Sequence, residues 1–123
     1  MPVGVTVYTI VVVDGSTDGT VEMLNTEFAD FFVVLGDGNW WWTKSINKGV
    51  EQARNLEMDH VLFMNDDNIL QTDYLEKLLD AKSKLSPNAV LGSASISLSK
   101  AGLIDTAGYY KMNSFSFKNL IIP

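Results

Sequence analysis

Apolar positions fall in short blocks separated by polar loops. Residues 5–13 are rich in β-branched and aromatic side chains and close on Asp14-Gly15-Ser16, which predicts a buried strand running into a loop. Val21, Leu24 and Phe28 then recur at helical spacing, with Ser16, Thr17 and Asp18 as candidate N-caps. Phe31 to Leu35 predicts a second strand, followed by Gly36-Asp37-Gly38-Asn39 as a flexible loop and by Trp40-Trp41-Trp42. A helix is predicted from near Thr43, with Ile46, Val50 and Ala53 on one stripe and Lys44, Lys48, Glu51 and Arg54 opposite. Gly49 interrupts it at a cost of about 1 kcal/mol against alanine, so it either permits a close backbone approach or is simply tolerated. His60 to Met64 predicts a third strand. Asp73-x-x-Glu76 is a capping-box pattern opening a helix that contains Leu75, Leu78, Leu79 and Leu85, with Pro87 beyond its end.

Strands alternating with helices in this order imply right-handed crossovers, hence an α/β fold with a mostly parallel sheet and helices on both faces. From Asn88 the pattern changes to Ala89-Val90-Leu91, a serine-rich stretch to Ser99, a Lys100-Ala101-Gly102 turn and a mixed polar and aromatic tail. One more strand and then a hairpin or extended arm are expected there. No repeat or low-complexity linker divides the chain, so residues 1–123 read as a single domain.

Composition narrows the choice of ligand. Apolar residues make up 46% and charged residues 20%, which excludes a disordered chain. With no cysteine there is no disulfide, thiolate metal site or thiol nucleophile, and cytoplasm is the default compartment. No apolar run approaches the roughly 20 residues of a membrane span, and no signal-peptide pattern opens the chain. A net charge of −6 without a basic cluster disfavours nucleic acid as a partner. A polyphosphate would therefore need a cation or backbone amides to offset repulsion.

Two acidic loops each follow an apolar run, and in a parallel sheet both would lie at the carboxyl edge, where open α/β folds bind ligands. Asp14 to Thr20 brings a carboxylate, hydroxyls and two glycines to a helix N-terminus, which presents free amides to an anion. The same residue types also serve as plain N-caps. Asn65-Asp66-Asp67-Asn68 offers hard oxygens suited to magnesium or manganese, although Asp and Asn equally make turns by bonding their own backbone. Three consecutive tryptophans cannot all face one core. At least one is expected to line a groove suited to stacking on a sugar or base, or to cover a sheet edge or oligomer contact. His60, the one histidine, has no serine poised against it and is not expected to be catalytic.

The Gly15-Ser16-Thr17-Asp18-Gly19-Thr20 string, taken with Asn65-Asp66-Asp67, resembles the nucleotide-sugar half of an inverting family 2 glycosyltransferase. The resemblance covers roughly residues 5–110 and implies a nucleotide-diphospho-sugar transferase-like fold of GT-A type. It further implies that Asp14, Ser16, Asp18, Asn65 and Asp66 bind the nucleotide. Trp42 and Asn47 would face the donor sugar, and Asp67 would hold Mg2+ or Mn2+. The donor is expected to be of UDP or dTDP type. The family places two acidic or amide residues before Gly-Ser, whereas here Val13 precedes Asp14. Either Val13 replaces the carboxylate that reads the base, or the loop is one residue shorter and Asp14 does that work. Asn65 stands at the first acidic position of the family's Asp-x-Asp motif, where its amide suits ribose or a metal-bound water. Ile46 stands where many relatives have a basic residue, so Lys44 or Lys48 would have to substitute.

The match corresponds to the middle of the family's catalytic domain, so the chain is expected to be truncated at both ends. Asp105 and Gly108-Tyr109-Tyr110 follow the central sheet without matching the family's base motif, and no catalytic base is assigned. A noncatalytic module of the same fold is the main alternative. A receiver domain fits less well, because it needs an acidic pair after its first strand and a lysine after its last. An unpaired sheet border favours a homo-oligomer, through Phe115-Ser116-Phe117 and Leu120-Ile121-Ile122.

Overall fold

In the computed structural model, the residues described are 4–87 and 89–96, together with the backbone of 104–106, 109–113 and 116–119. The chain divides into two compact units, Pro2–Leu70 and Gln71–Pro123. The first is a strand–helix–strand–helix unit. β1 (Ile10–Asp14) and β2 (Phe32–Gly36) pair in parallel, from Ile10 opposite Phe32 to Asp14 opposite Gly36. α1 (Thr20–Glu27) connects them, and α2 (Trp41–Asn55) follows and packs against both strands. The α/β class expected from the pattern is borne out.

Among the described residues the buried apolar side chains are Val13 on β1, Leu24 on α1 and Ala53 on α2. Ala53 belongs to the stripe predicted for this helix, and Ile46 and Val50 beside it are half-buried. A Cβ at Gly49 would meet Val12 Cγ2 at 3.4 Å, an ordinary contact, so glycine there is tolerated rather than required. At the C-terminal end of α2, Glu57 adopts φ 55°. The Met58 amide then donates to the Ala53 carbonyl at 3.1 Å and the Glu57 amide to that of Arg54 at 3.0 Å, which satisfies two of the carbonyls in the helix's last turn.

Several local expectations are corrected. The first strand begins at Ile10 rather than residue 5. The second helix begins at Trp41 rather than near Thr43. The N-cap of α1 is Gly19, at φ 90°, while Asp18 Oδ1 accepts from the Thr20 amide at 3.1 Å and its hydroxyl at 2.6 Å. His60 to Met64 is not a strand. Its side chains Val61 to Met64 are exposed, and no ladder partner faces the segment among the described residues. Apolar β-branched residues permit a strand, but only a neighbouring ladder makes one.

The second unit opens with α3 (Tyr74–Ser83), which ends before Leu85 and Pro87. Its capping box does not form. Asp73 is the N-cap residue without a side-chain cap bond: at φ −100° and ψ 10° it lies outside the extended conformation from which a cap reaches the first turn, and its carboxylate pairs with Lys77 at 2.9 Å. At the other end, Lys82 Nζ donates to the carbonyls of Ser86 and Pro87 at 3.1 and 2.9 Å. Ala89-Val90-Leu91 is not a strand, and Val90 is fully exposed. The strands are instead antiparallel pairs. β3 (Ser95–Ile96) pairs with β4 (Ile104–Thr106), and β5 (Tyr109–Asn113) with β6 (Ser116–Asn119) as the expected hairpin. The Lys100-Ala101-Gly102 turn, Gly108, Phe115 and Leu120-Ile121-Ile122 lie outside the described residues.

Candidate functional site

Parallel pairing sends β1 and β2 out of the same sheet edge, so the loops after Asp14 and after Gly36 leave side by side. Asp14 joins them. Its Oδ1 accepts from the Gly38 amide at 2.7 Å, and its Oδ2 from the amides of Trp40 at 2.7 Å and Trp41 at 3.0 Å. A carboxylate has about four lone-pair positions, so three are committed to this loop. Desolvation pushes the Asp14 carboxyl up, but the amides of Trp40, Gly38 and Trp41 and the charge of Lys44 outweigh it and hold the pKa below its ordinary value.

The backbone at this junction admits little variation. Gly15 sits at φ 75°, and a Cβ there would lie 2.6 Å from Gly38 Cα and 2.9 Å from Gly38 N. Trp41 opens α2 at φ 54°, the left-handed region, which costs a bulky residue on the order of 1 kcal/mol. Its amide is one of the three that Asp14 holds. Its indole is 82% exposed and that of Trp42 65%, whereas Trp40 is half-buried with Lys44 Nζ 5.1 Å from its ring centroid.

Of the residues expected to meet the nucleotide, Ser16 and Asp18 are exposed in the first loop. Asp18 is engaged with Thr20, whose hydroxyl and amide lower its pKa. Val13, the residue before Asp14, is buried at 5% exposure and its side chain has no polar group to offer a base. Asn47 lies on the exposed face of α2. Lys48, on the same helix, pairs with Glu51 at 2.6 Å and holds that carboxyl below its usual value.

Asn65, Asp66, Asp67 and Asn68 form an exposed turn in the same unit. The side-chain amide of Asn68, through Nδ2, donates to the Asn65 carbonyl at 3.1 Å and reaches Asp67 Oδ1 at 3.4 Å. Among the described residues, Asp66 and Asp67 thus keep oxygens without a hydrogen bond. Among the described residues no three His, Asp or Glu side chains gather as a ready-made metal site. Two exposed carboxylates fit an ion that takes its remaining ligands from phosphate and water.

The structure thus brings the Asp14, Gly38 and Trp40–Trp41 segments together, which the sequence reading did not join. The signal was present in part: a carboxylate closing one strand, and a glycine-flanked loop closing the next. A shallow groove of about 310 Å3 runs along α2, lined by Val34, Trp40, Lys48, Glu51, Gln52 and Asn55; it includes one of the three tryptophans and Lys48, and none of Asp14, Ser16, Asp18, Trp42, Asn47 or Asn65 to Asp67. No helix among the described residues is long and apolar enough to cross a membrane.

The sequence model described as "Glycosyl transferase family 2" matches residues 7–118 of the 123. The chain is also similar to the enolase of Ureaplasma parvum serovar 3, at 38% identity over 72 residues in each of two strains. That stretch is 56% of this chain and 16% of the enolase, so the likeness leaves most of the enolase unmatched. No solved structure matches the chain.

Proposed function

Because the chain belongs to glycosyl transferase family 2, we propose that it binds a nucleoside-diphosphate sugar together with Mg2+ or Mn2+, and serves transfer of the sugar to an acceptor hydroxyl. The family match over residues 7–118 is the observation that carries this reading. The enolase likeness spans too little of that enzyme to bring its activity here.

Ser16 and Asp18 are exposed on the first loop and available to the nucleotide. Asn65 and Asp66 are proposed to contact its ribose and phosphates. Trp42 and Asn47, both exposed on α2, are proposed to face the donor sugar. Asp67, with an oxygen only loosely held by Asn68, is the proposed metal ligand. When bound, the cation would supply Lewis-acid stabilisation to the departing diphosphate. Inversion requires a base within hydrogen-bond reach of the acceptor, and no residue of this chain is assigned to it. The single-domain reading, the donor type as UDP or dTDP and a cytoplasmic setting belong to the same proposal.

Association of copies is a further part of it. β1 has β2 on one side and no second ladder partner among the described residues, and such an edge is a template for pairing. Light scattering at high micromolar concentration is expected to give a mass above that of one chain, and a monomeric mass would reject this part.

Calorimetric titration with UDP and with dTDP, each with and without Mn2+, tests the donor site. Metal-dependent binding that disappears in Asp67→Ala is the expected result. Absence of binding to either nucleotide would leave the fold without this function and favour a noncatalytic module, for which the exposed indoles of Trp41 and Trp42 offer a contact surface.

A further inference from the structure

We infer that Asp14 is a positioning residue: its carboxylate acts through the backbone of Gly38, Trp40 and Trp41 to hold Trp41 in the left-handed conformation that opens α2. This deepens the donor-site reading, and rests on it only for its consequence in binding. The expectation that Asp14 reads the base required its oxygens to face a ligand. Three of their acceptor positions instead face amides 24 to 27 residues further along the chain, at 2.7 to 3.0 Å.

The geometry explains why a carboxylate is used. Two oxygens on one rigid plane reach two parts of the neighbouring loop at once, Oδ1 the Gly38 amide and Oδ2 the pair at Trp40 and Trp41. Consecutive amides converge on one oxygen only if the backbone turns between them, which Trp40 does at φ −86° and ψ −32°; the chain then enters α2 through Trp41 at φ 54°. A non-glycine residue persists there only when its surroundings over-determine it. Here the surroundings include Gly15, which lies directly against Gly38, and Gly36, where a Cβ would collide with the Asp14 carboxylate. The two loops are thereby one unit, and the direction in which Trp41 and Trp42 leave the sheet is set by Asp14. Asparagine keeps the size of the side chain but replaces one acceptor oxygen with a donor, so it cannot serve both groups of amides.

A mutant cycle tests the link directly. Asp14→Asn lowers the thermal midpoint. Trp41→Gly removes the cost of the left-handed backbone, so breaking the Asp14 bonds no longer releases strain, and the same Asp14→Asn change in that background is expected to lower the midpoint by more than in the unmodified chain. Equal drops in both backgrounds would overturn the proposal. The unmodified protein offers a second reading that does not depend on the variants folding. On acidification, the amide resonances of Gly38, Trp40 and Trp41 are expected to shift along one titration curve shared with the Asp14 carboxyl. Three unrelated curves, or no shift, would equally overturn it.

With UDP and Mn2+ as the probe, Asp14→Asn is expected to weaken binding about tenfold or more, and Asp14→Glu to recover part of the loss. Full affinity in a folded Asp14→Asn protein would overturn the link to the donor site. If the unmodified chain binds no nucleotide, the donor reading fails while the mutant cycle and the shared titration still decide the role of Asp14.

Discussion

The two acidic loops of the first unit are built in opposite ways. At Asp14 the carboxylate is consumed by the protein: three amides converge on it, and Gly15 lies against Gly38 with no room between them. At Asp66-Asp67 the carboxylates remain exposed, and among the described residues the turn is fastened only by the Asn68 side-chain amide. A buried or saturated carboxylate gives up its ligand capacity in exchange for holding backbone in place. An exposed pair keeps that capacity but leaves its geometry to whatever binds. The first loop is therefore a preorganised wall, and the second a set of oxygens that a ligand must assemble.

The largest effect is expected from breaking the wall. Gly15→Ala adds a Cβ that would lie 2.6 Å from Gly38 Cα and does so at φ 75°. Overpacking and left-handed strain together predict a loss on the order of 3 kcal/mol. Gly38→Ala, at φ 83° with its nearest neighbour Gly15 Cα 3.8 Å away, carries the strain without the collision and is expected to cost about 1 kcal/mol. Chemical denaturation of the two variants checks the ranking, and equal losses would show that contact between the loops does not matter.

Substitution at the second loop is expected to separate stability from binding. Among the described residues, the hydrogen bond that Asp67→Ala removes is the long one from Asn68, so its stability should stay within about 0.5 kcal/mol of the unmodified chain. Metal-dependent UDP affinity should nevertheless fall at least about tenfold. A cooperative loss of stability in Asp67→Ala would place this loop in the same class as the first.

Acid sharpens the contrast further. The carboxyls of Asp14 and Asp18 are held below the ordinary value of 3.8 in the folded chain. A depressed folded pKa contributes stability that is complete above the unfolded value and is lost as pH falls through the folded one. Thermal midpoints are therefore expected to lose the contribution of these groups below about pH 4. Asp14→Asn should flatten part of that acid limb.

The legible and illegible parts of the chain divide along the same line. β1, β2 and the apolar stripe of α2 follow from local side-chain pattern, and the structure forms all three near the expected positions. The role of Asp14 depends on amides beyond a helix and a strand, so no local window contains it. The same holds for His60 to Met64, whose apolar run has strand propensity but no ladder partner among the described residues. At Asp73 the spacing to Glu76 suggested a capping bond, but the backbone conformation there, φ −100° and ψ 10°, does not form it, and the carboxylate pairs with Lys77 instead. The family resemblance was legible because its motif residues sit in loops whose sequence is itself the signal.

The smallest effect is expected at Asn68, and it bears directly on how the second loop works. Its amide donates to the Asn65 carbonyl at 3.1 Å and only weakly to Asp67 Oδ1, at 3.4 Å. Both bonds are exposed, where water replaces a lost partner at little cost. Asn68→Ala should therefore change stability by about 0.5 kcal/mol or less and Mn2+-dependent UDP affinity by about threefold or less. The sign of the affinity change is informative. Freeing Asp67 Oδ1 makes it a better metal ligand, while loosening the turn raises the entropy lost when the ligand orders it. Tighter binding in Asn68→Ala would mean that the amide competes with the metal for Asp67. Weaker binding would mean that Asn68 preorganises the turn, making the two loops differ in degree of fastening rather than in kind.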